Sequence, residues 1–408
     1  MKRVLIVSYF FPPHNAIASR RWGGMVHTIS QSYDVYVFTQ HGKGDIQVPI
    51  HEQKIFRVNY LESNIELQKA YTHKNPLRLL ISLLSAHINT IDSTLMSWFL
   101  KNINSFKELL KNINPDYIIT SVGPFSTALF GIVSKSINPN IKWIVDIRDS
   151  MSLNYESQKN PFSKYIDRYI DKTVINQCDM ILTVSPTLSQ IFSKFYKKQV
   201  VTIYNGFDLP LINAPKSSHV NKQSKYQGTM LYYAGVIYPH QERAFNLFID
   251  YIANKKEYIF KIRLLATKAN YNRYQQYLKT NQINNVELLL PAHAHIIHQE
   301  ESHADVLVLF EDLNKKSSIS KGTLTGKLFE YLPFKAPILA ICRDDSDIKE
   351  ILRKTKRGQV LSHSSQLNEF FDNMNQYRLK HMSQVIEFSR SYQGKKVCNC
   401  LKKILVRP

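Results

Sequence analysis

The residues best equipped for chemistry lie in SKGTLTGKLFEYLPFKAPILA, Ser320 to Ala340. Gly326 and Lys327 open what reads as a short helix, Lys327 to Leu332, and Glu330 follows one turn later. The first turn of a helix leaves backbone N–H groups without intrahelical partners, and the helix dipole adds positive potential there. Gly326 lets an anion approach the backbone, and Lys327 adds a point charge. Glu330 shares the face of Lys327 about 5 Å further along the axis. A diphosphate at that helix end would bring an attached ribose to Glu330, which accepts from hydroxyls. The same spacing also makes an ordinary solvated i,i+3 ion pair worth about 0.2–0.5 kcal/mol. Spacing alone weighs the two readings evenly. The Gly-x-x-x-x-Gly-Lys-Ser/Thr loop is absent, since Leu328 follows the lysine and offers no hydroxyl to magnesium.

Other candidates follow apolar runs. The loop PPHNAIASRR comes after RVLIVSYF. Arg20 and Arg21 begin the next helix, within reach of a phosphate, and His14 is placed to hydrogen-bond a sugar, although a lone loop histidine is more often merely exposed. In KWIVDIRDS, Asp146 reads as part of a strand, with Arg148 and Asp149 at its end. Asp149 is suited either to orient an acceptor hydroxyl or to cap a helix, and a structural role for the Arg148–Asp149 pair stands beside a catalytic one. Gly123, in SVGPFS, reads as a tight turn. No Asp-x-Asp metal motif is present; RDDSD follows the PILAI run and reads as a loop and helix cap. Cys398-Asn-Cys400 lacks a second ligand pair at zinc-site spacing, so no metal is expected.

The elements that must position these groups are legible as apolar runs. RVLIVSYF, YDVYVFTQ and IFRVNY, then DYIIT, KWIVDIRD, DMILTVS and VVTIYNG, read as strands buried on both faces of a parallel sheet, with helix-length segments between them. One of these, Leu77 to Leu110, carries a Leu79, Leu80, Leu83, Leu84 stripe after Lys69, Lys74 and Arg78. It suits a helix on the core, and also a basic amphipathic element on an anionic membrane. Asn213 to Gly228 is polar and reads as a linker. A second α/β series follows: MLYYAG, FKIRLLA, VELLLP, VLVLF and PILAI as strands. The fold class is therefore α/β, with two doubly wound Rossmann-like domains, and ligands are expected beyond the carboxyl ends of the strands in an interdomain cleft.

The 408 residues suit two domains, and 44% hydrophobic residues without low-complexity tracts argue against disorder. Lys and Arg total 53 against 32 Asp and Glu, a net charge of +21 that attracts phosphates of any kind. The cations are scattered in pairs rather than massed, which favours a basic face over dedicated nucleic-acid binding. Four unevenly spread cysteines make no disulfide framework and fit a reducing cytoplasm. MKRVLIVSYF reads as a first strand rather than a signal peptide, and no run of eighteen apolar residues suggests a membrane span.

TGKLFEYLPFKAPILAI closely resembles the donor-site segment of bacterial family 4-like glycosyltransferases, which have the two-domain GT-B fold. VLIVSYFFPPHNAIASRRW, KWIVDIRDS, LTVSPTLSQ, IYNGFD, YYAGVIYP, HADVLVLF and FSRSYQGKKVCNCLKKIL resemble its other landmarks in order, over nearly the whole chain. The resemblance implies an acceptor-binding domain over 1–212, a linker over 213–228, a nucleotide-sugar domain over 229–385, and a helical tail over 386–408 packing back on the first domain. It implies that Gly326 and Lys327 bind phosphate and that Glu330 binds ribose. Gly235 would admit the donor diphosphate and Arg243 would add a phosphate contact. Many members carry a further glutamate eight residues before the ribose-binding one. Here that position is Gly322, so backbone groups of Gly322, Thr323, Leu324 and Thr325 are left to meet the donor sugar. The expected activity is retaining, metal-independent sugar transfer from a nucleotide-sugar, with no cofactor. The acceptor would be a glycan or polyprenyl-linked glycan of a surface polysaccharide, such as capsule or lipopolysaccharide. The enzyme would be cytoplasmic, with peripheral contact to the anionic inner face of the membrane. Rival expectations are a sugar-nucleotide epimerase of the same fold and a non-catalytic nucleotide- or nucleic-acid-binding protein.

Overall fold

The computed structural model describes residues 1–58, 93–149, 152–153, 160–209, 228–253 and 255–405. The Leu79–Leu84 stripe, its preceding cations and most of Asn213–Gly228 lie outside these residues. The chain divides into two units, Met1–Asn205 with Arg390–Pro408, and Gly206–Ser389.

In the first unit, Val4–Val7, Ile118–Ile119 and Ile144–Val145 are too uniformly apolar for a half-solvated strand, and all are buried. They lie in a parallel sheet of order β3-β2-β1-β4-β5-β6-β7. Its strands are β1 Arg3–Ser8, β2 Asp34–Gln40, β3 Ile55–Val58, β4 Tyr117–Val122, β5 Lys142–Ile147, β6 Met180–Thr183 and β7 Val200–Thr202. Helices cross between strands, among them Ile17–Ser30, Thr127–Ile137, Pro161–Ile175 and Pro186–Tyr196. The last helix, Arg390–Leu405, returns to this unit and packs on Ile17–Ser30. Tyr117 and Tyr33 donate their hydroxyls to Leu401 O at 3.1 Å and Cys398 O at 3.4 Å.

The second unit has a parallel sheet of order β10-β9-β8-β11-β12-β13. Its strands are β8 Thr229–Gly235, β9 Tyr258–Leu264, β10 Val286–Leu289, β11 Val306–Phe310, β12 Ile338–Ile341 and β13 Gly358–Leu361. Phe245, Phe248, Phe260 and Phe310 fill its core beside β8. In both sheets the winding reverses next to the first strand, between β1 and β4 and between β8 and β11. Such reversals open a crevice at the carboxyl strand ends. Among the described residues no helix is long and apolar enough to cross a membrane.

Arg21 occupies a different place from the one its loop position suggests. Its side chain is fully buried. It donates from Nε and Nη2 to the two oxygens of Asp146 at 3.0 and 2.7 Å, and from Nη1 to Ile203 O and Tyr204 O at 2.8 Å. This strut joins the first helix, β5 and the segment after β7, so Arg21 is not available to a phosphate. The fork needs a planar, bidentate guanidinium. Breaking a buried pair of this kind costs about 3–5 kcal/mol. Arg21→Ala and Arg21→Lys are both expected to lower the urea midpoint of the first unit's unfolding sharply; an unchanged midpoint contradicts the strut.

Candidate functional site

Two candidate residues of the second unit, Gly235 and Lys327, meet at the β8/β11 reversal. Gly235 ends β8 with φ +149°, where an L side chain is strained. A Cβ there would collide with Cε and Nζ of Lys327. The lysine side chain thus lies in the space that the glycine leaves. Its ammonium stands 5.5 Å from the centroid of the Tyr233 ring, a cation–π contact. The Tyr233 hydroxyl donates to Val236 O at 2.7 Å and holds the ring against the loop after β8.

Burial pushes the pKa of Lys327 below the ordinary lysine value, while the carboxylates of Glu330, Glu311 and Glu301 oppose the shift. The helix carrying Lys327 runs from Gly326 to Tyr331, and Thr325 before it makes no side-chain capping bond. Glu330 is half-buried one turn from Lys327. Leu328 and Phe329 are fully buried, which fixes the helix's facing.

Two arginines hold the flanks of this helix. Arg343, 4% exposed, donates from Nη1 to Asn314 O, Ser317 O and Ser320 Oγ at 3.2, 2.6 and 2.6 Å, and pairs through Nε with Asp345 at 2.6 Å. Arg357 is fully buried and binds the carbonyls of Leu332, Phe334, Ala336 and Tyr377. With no carboxylate beside it, burial pushes its pKa down to about 10. The run before Lys327 turns at Gly322, whose N–H donates to Ile319 O at 2.8 Å. Gly322 and Leu324 are buried, so of this run it is Thr323 and Thr325 that offer backbone at partly open positions. Arg243 is exposed in the first turn of Glu242–Ile252 and makes none of the contacts around Lys327.

Sequence reasoning missed Glu311. It follows β11 directly and is 6% exposed. Gln241 donates its amide to one oxygen at 3.2 Å, and the other lies 3.6 Å from His240 Nε2 without a hydrogen bond. The one available signal was position: a carboxylate immediately after the strand VLVLF.

The first unit repeats the arrangement with a different cation. Gly123 follows β4 with φ +131°, and a Cβ there would lie 2.7 Å from Arg148 Nη2. That nitrogen donates to Val122 O at 3.4 Å. Burial lowers the pKa of Arg148, and Asp146 and Asp149 oppose the shift. Asp149 is exposed. His14 is half-buried, with its ring 4.7 Å from that of Phe10 and its Nδ1 buried without a hydrogen-bond partner. Arg20 is half-buried on the first helix.

Comparison with known proteins agrees with this architecture. Over 99% of both chains, the protein is similar to sucrose-phosphate synthase from Thermosynechococcus elongatus, at 11% identity and a TM-score of 0.67. It is similar to the lipopolysaccharide outer core galactosyltransferase WaaB in its apo form over 99% of both chains, at 13% identity and a TM-score of 0.59. It is also similar to S. aureus MnaA in its UDP co-structure over 99% of this chain and 97% of that one, at 12% identity and a TM-score of 0.52. The fold is GT-B. Residues 26–210 match the model for Glycosyltransferase Family 4. No curated protein matches the chain.

Two outcomes follow from the Lys327–Gly235 geometry. An anion needs the ammonium form, and a lowered pKa brings its loss to lower pH than the ordinary 10.5. Calorimetric affinity for inorganic pyrophosphate is therefore expected to fall early on the alkaline side, with proton uptake on binding, and Lys327→Arg is expected to flatten that limb. Gly235→Ala is expected to displace the lysine, cost about 1–3 kcal/mol of stability through backbone strain, and abolish pyrophosphate binding.

Proposed function

We propose that this protein transfers a sugar from a nucleoside-diphosphate donor to a glycan or polyprenyl-linked acceptor in cell-surface polysaccharide assembly, with retention of configuration. The observation that carries the reading is the Lys327 ammonium held in the space beside Gly235, with Glu330 one turn along the same helix. Lys327 and the N–H groups at Gly326 balance the charge that develops on the departing diphosphate. Glu330 accepts from the ribose hydroxyls. Backbone groups from Gly322 to Thr325 face the donor sugar where relatives of this type use a glutamate, and Glu311 adds a buried acceptor next to Lys327. Arg243 supplies an outlying positive charge. In the first unit Arg148, Asp149 and His14 receive the acceptor, with Arg20 toward its phosphate. The charge on the leaving group is met by side chain and backbone, so the proposed route needs no metal. The work is done in the cytoplasm, at the inner face of the membrane.

The likeness to the galactosyltransferase WaaB and to UDP-bound MnaA supports a nucleotide-sugar ligand. A thermal-shift panel of nucleoside diphosphates and their sugar conjugates tests the site. At least one diphosphate is expected to raise the melting temperature. Lys327→Ala and Glu330→Ala are expected to abolish that rise while leaving the ligand-free melting temperature within a degree or two. Glu311→Gln is expected to spare the response to the free diphosphate and reduce the added response to its sugar conjugate. A new sugar nucleotide formed from donor alone would identify an epimerase. No shift with any diphosphate, together with steeply salt-dependent RNA or DNA binding, would remove the transferase reading.

A further inference from the structure

The helix Pro161–Ile175 is built inside out for a surface helix. Its two acidic residues, Asp167 and Asp171, are each 1% exposed, whereas Phe162, Tyr165 and Tyr169 are 70%, 70% and 66% exposed. Asp171 is held inside by Ser152 Oγ at 2.6 Å and the Tyr196 hydroxyl at 2.8 Å, both donating to it. The aromatic residues stand at i, i+3 and i+7 and so form one stripe along the helix. Lys164, Arg168 and Lys172, at successive four-residue steps, form a second stripe beside it. Arg168 and Lys172 lie over the half-buried ring of Phe195 at 5.1 and 4.6 Å, which extends the apolar strip beneath the cations. The helix start is well formed: Pro161 stands in the first turn, and the Asn160 side chain accepts from Ser163 N at 2.8 Å. The outward rings are thus a property of a closed helix and not of a frayed end.

We infer that this face docks on an anionic lipid surface. Contiguous exposed apolar groups mark interaction sites, and the composition selects the occupant. The exposed face of this helix carries cations and no acid, so a second copy packed on it about a two-fold axis would oppose like charges. A glycan would need amide or carboxylate groups beside the rings, and the outward face between Phe162 and Tyr169 has none. Tyrosine and phenylalanine rings settle at the headgroup level of a bilayer, and flanking Lys and Arg meet anionic headgroups. The excess of 53 basic over 32 acidic residues in the chain acts in the same direction. The inference gives the proposed work on a lipid-linked acceptor a physical surface, but it does not depend on catalysis.

The test is co-sedimentation of the full chain with vesicles of phosphatidylcholine alone or mixed with phosphatidylglycerol. Binding to the mixed vesicles is expected, weakening as salt rises. The triple variant Phe162→Ala, Tyr165→Ala, Tyr169→Ala is expected to bind about tenfold or more weakly, as is Lys164→Gln with Arg168→Gln. The control Lys255→Gln with Lys256→Gln, in the second unit, is expected to bind like the wild type. The melting temperature of each variant and its shift with nucleoside diphosphate are expected to stay at the wild-type values, so a failed nucleotide site and a failed membrane face are read separately. Wild-type affinity in the aromatic variant, equal loss in the control, or no binding to mixed vesicles overturns the inference. So does loss of a dimer, or of single-stranded RNA binding, from the aromatic variant with vesicle binding intact.

Discussion

An ammonium taken out of water must be repaid by nearby negative charge, by π-electron density, or by a ligand. Lys327 has the first two in partial measure: carboxylates at Glu330, Glu311 and Glu301, and the ring of Tyr233. None of these could act if the side chain could not enter, and it enters because Gly235 has no Cβ. The last residue of β8 is therefore a volume constraint on which the chemistry of the second unit rests. The same device recurs in the first unit, where the guanidinium of Arg148 approaches the backbone of Gly123 after β4. Each glycine follows or ends a strand at the reversal of its sheet. In each case the neighbouring cation has its charged form disfavoured by burial.

Such placement needs a stiff frame, and much of the frame is arginine. Arg21 ties β5 to the first helix and to the carbonyls after β7. Arg343 gathers the run before Lys327, and Arg357 gathers the turn after it. A guanidinium presents several donors in a fixed plane, so one side chain can satisfy carbonyls from separate segments that no backbone ladder reaches. The helix Gly326–Tyr331 has only 6 residues and would not hold its position alone. It is held by buried Leu328 and Phe329 beneath and by these two clamps on either side.

The sequence made the strands plain, because uninterrupted Val, Ile, Leu and Phe runs have few other uses in a chain of this composition. It made Gly326, Lys327 and Glu330 visible because their types and spacing carry a mechanism. It could not show burial. Arg21 looks like its neighbour Arg20 in a loop-helix junction, yet only folding brings it to Asp146, 125 residues away. Glu311 was hidden for a similar reason, since its interest lies in Gln241 and His240 from the loop after a different strand. Gly235 was expected to admit a diphosphate, and in the structure it first admits Lys327. The helix Pro161–Ile175 was missed because a search for apolar residues on the inner face fails when the inner face carries aspartates and the outer one aromatics. The strand β13 is short, follows a charged helix, and lacks a run long enough to stand out.

The seating of Lys327 bears on how a leaving group would be stabilised. A lysine in water must shed part of its hydration before it can meet a phosphate oxygen, and that loss offsets the attraction gained. Here part of that desolvation has already occurred during folding, because Lys327 is half-buried and burial disfavours its charged form. Its present carboxylate neighbours compensate only in part, so a dianionic ligand meets a charge that is both positioned and incompletely neutralised. Electrostatic preorganisation of this kind acts most strongly where charge grows during reaction, because the groups need not reorient as it grows. A departing nucleoside diphosphate is where charge grows in sugar transfer, and the geometry at Gly235 favours that end of the reaction over binding of a neutral sugar. The acids nearby would then have a second use: with Glu311 and Glu330 beside it, Lys327 would not be left as a bare cation once a diphosphate had departed.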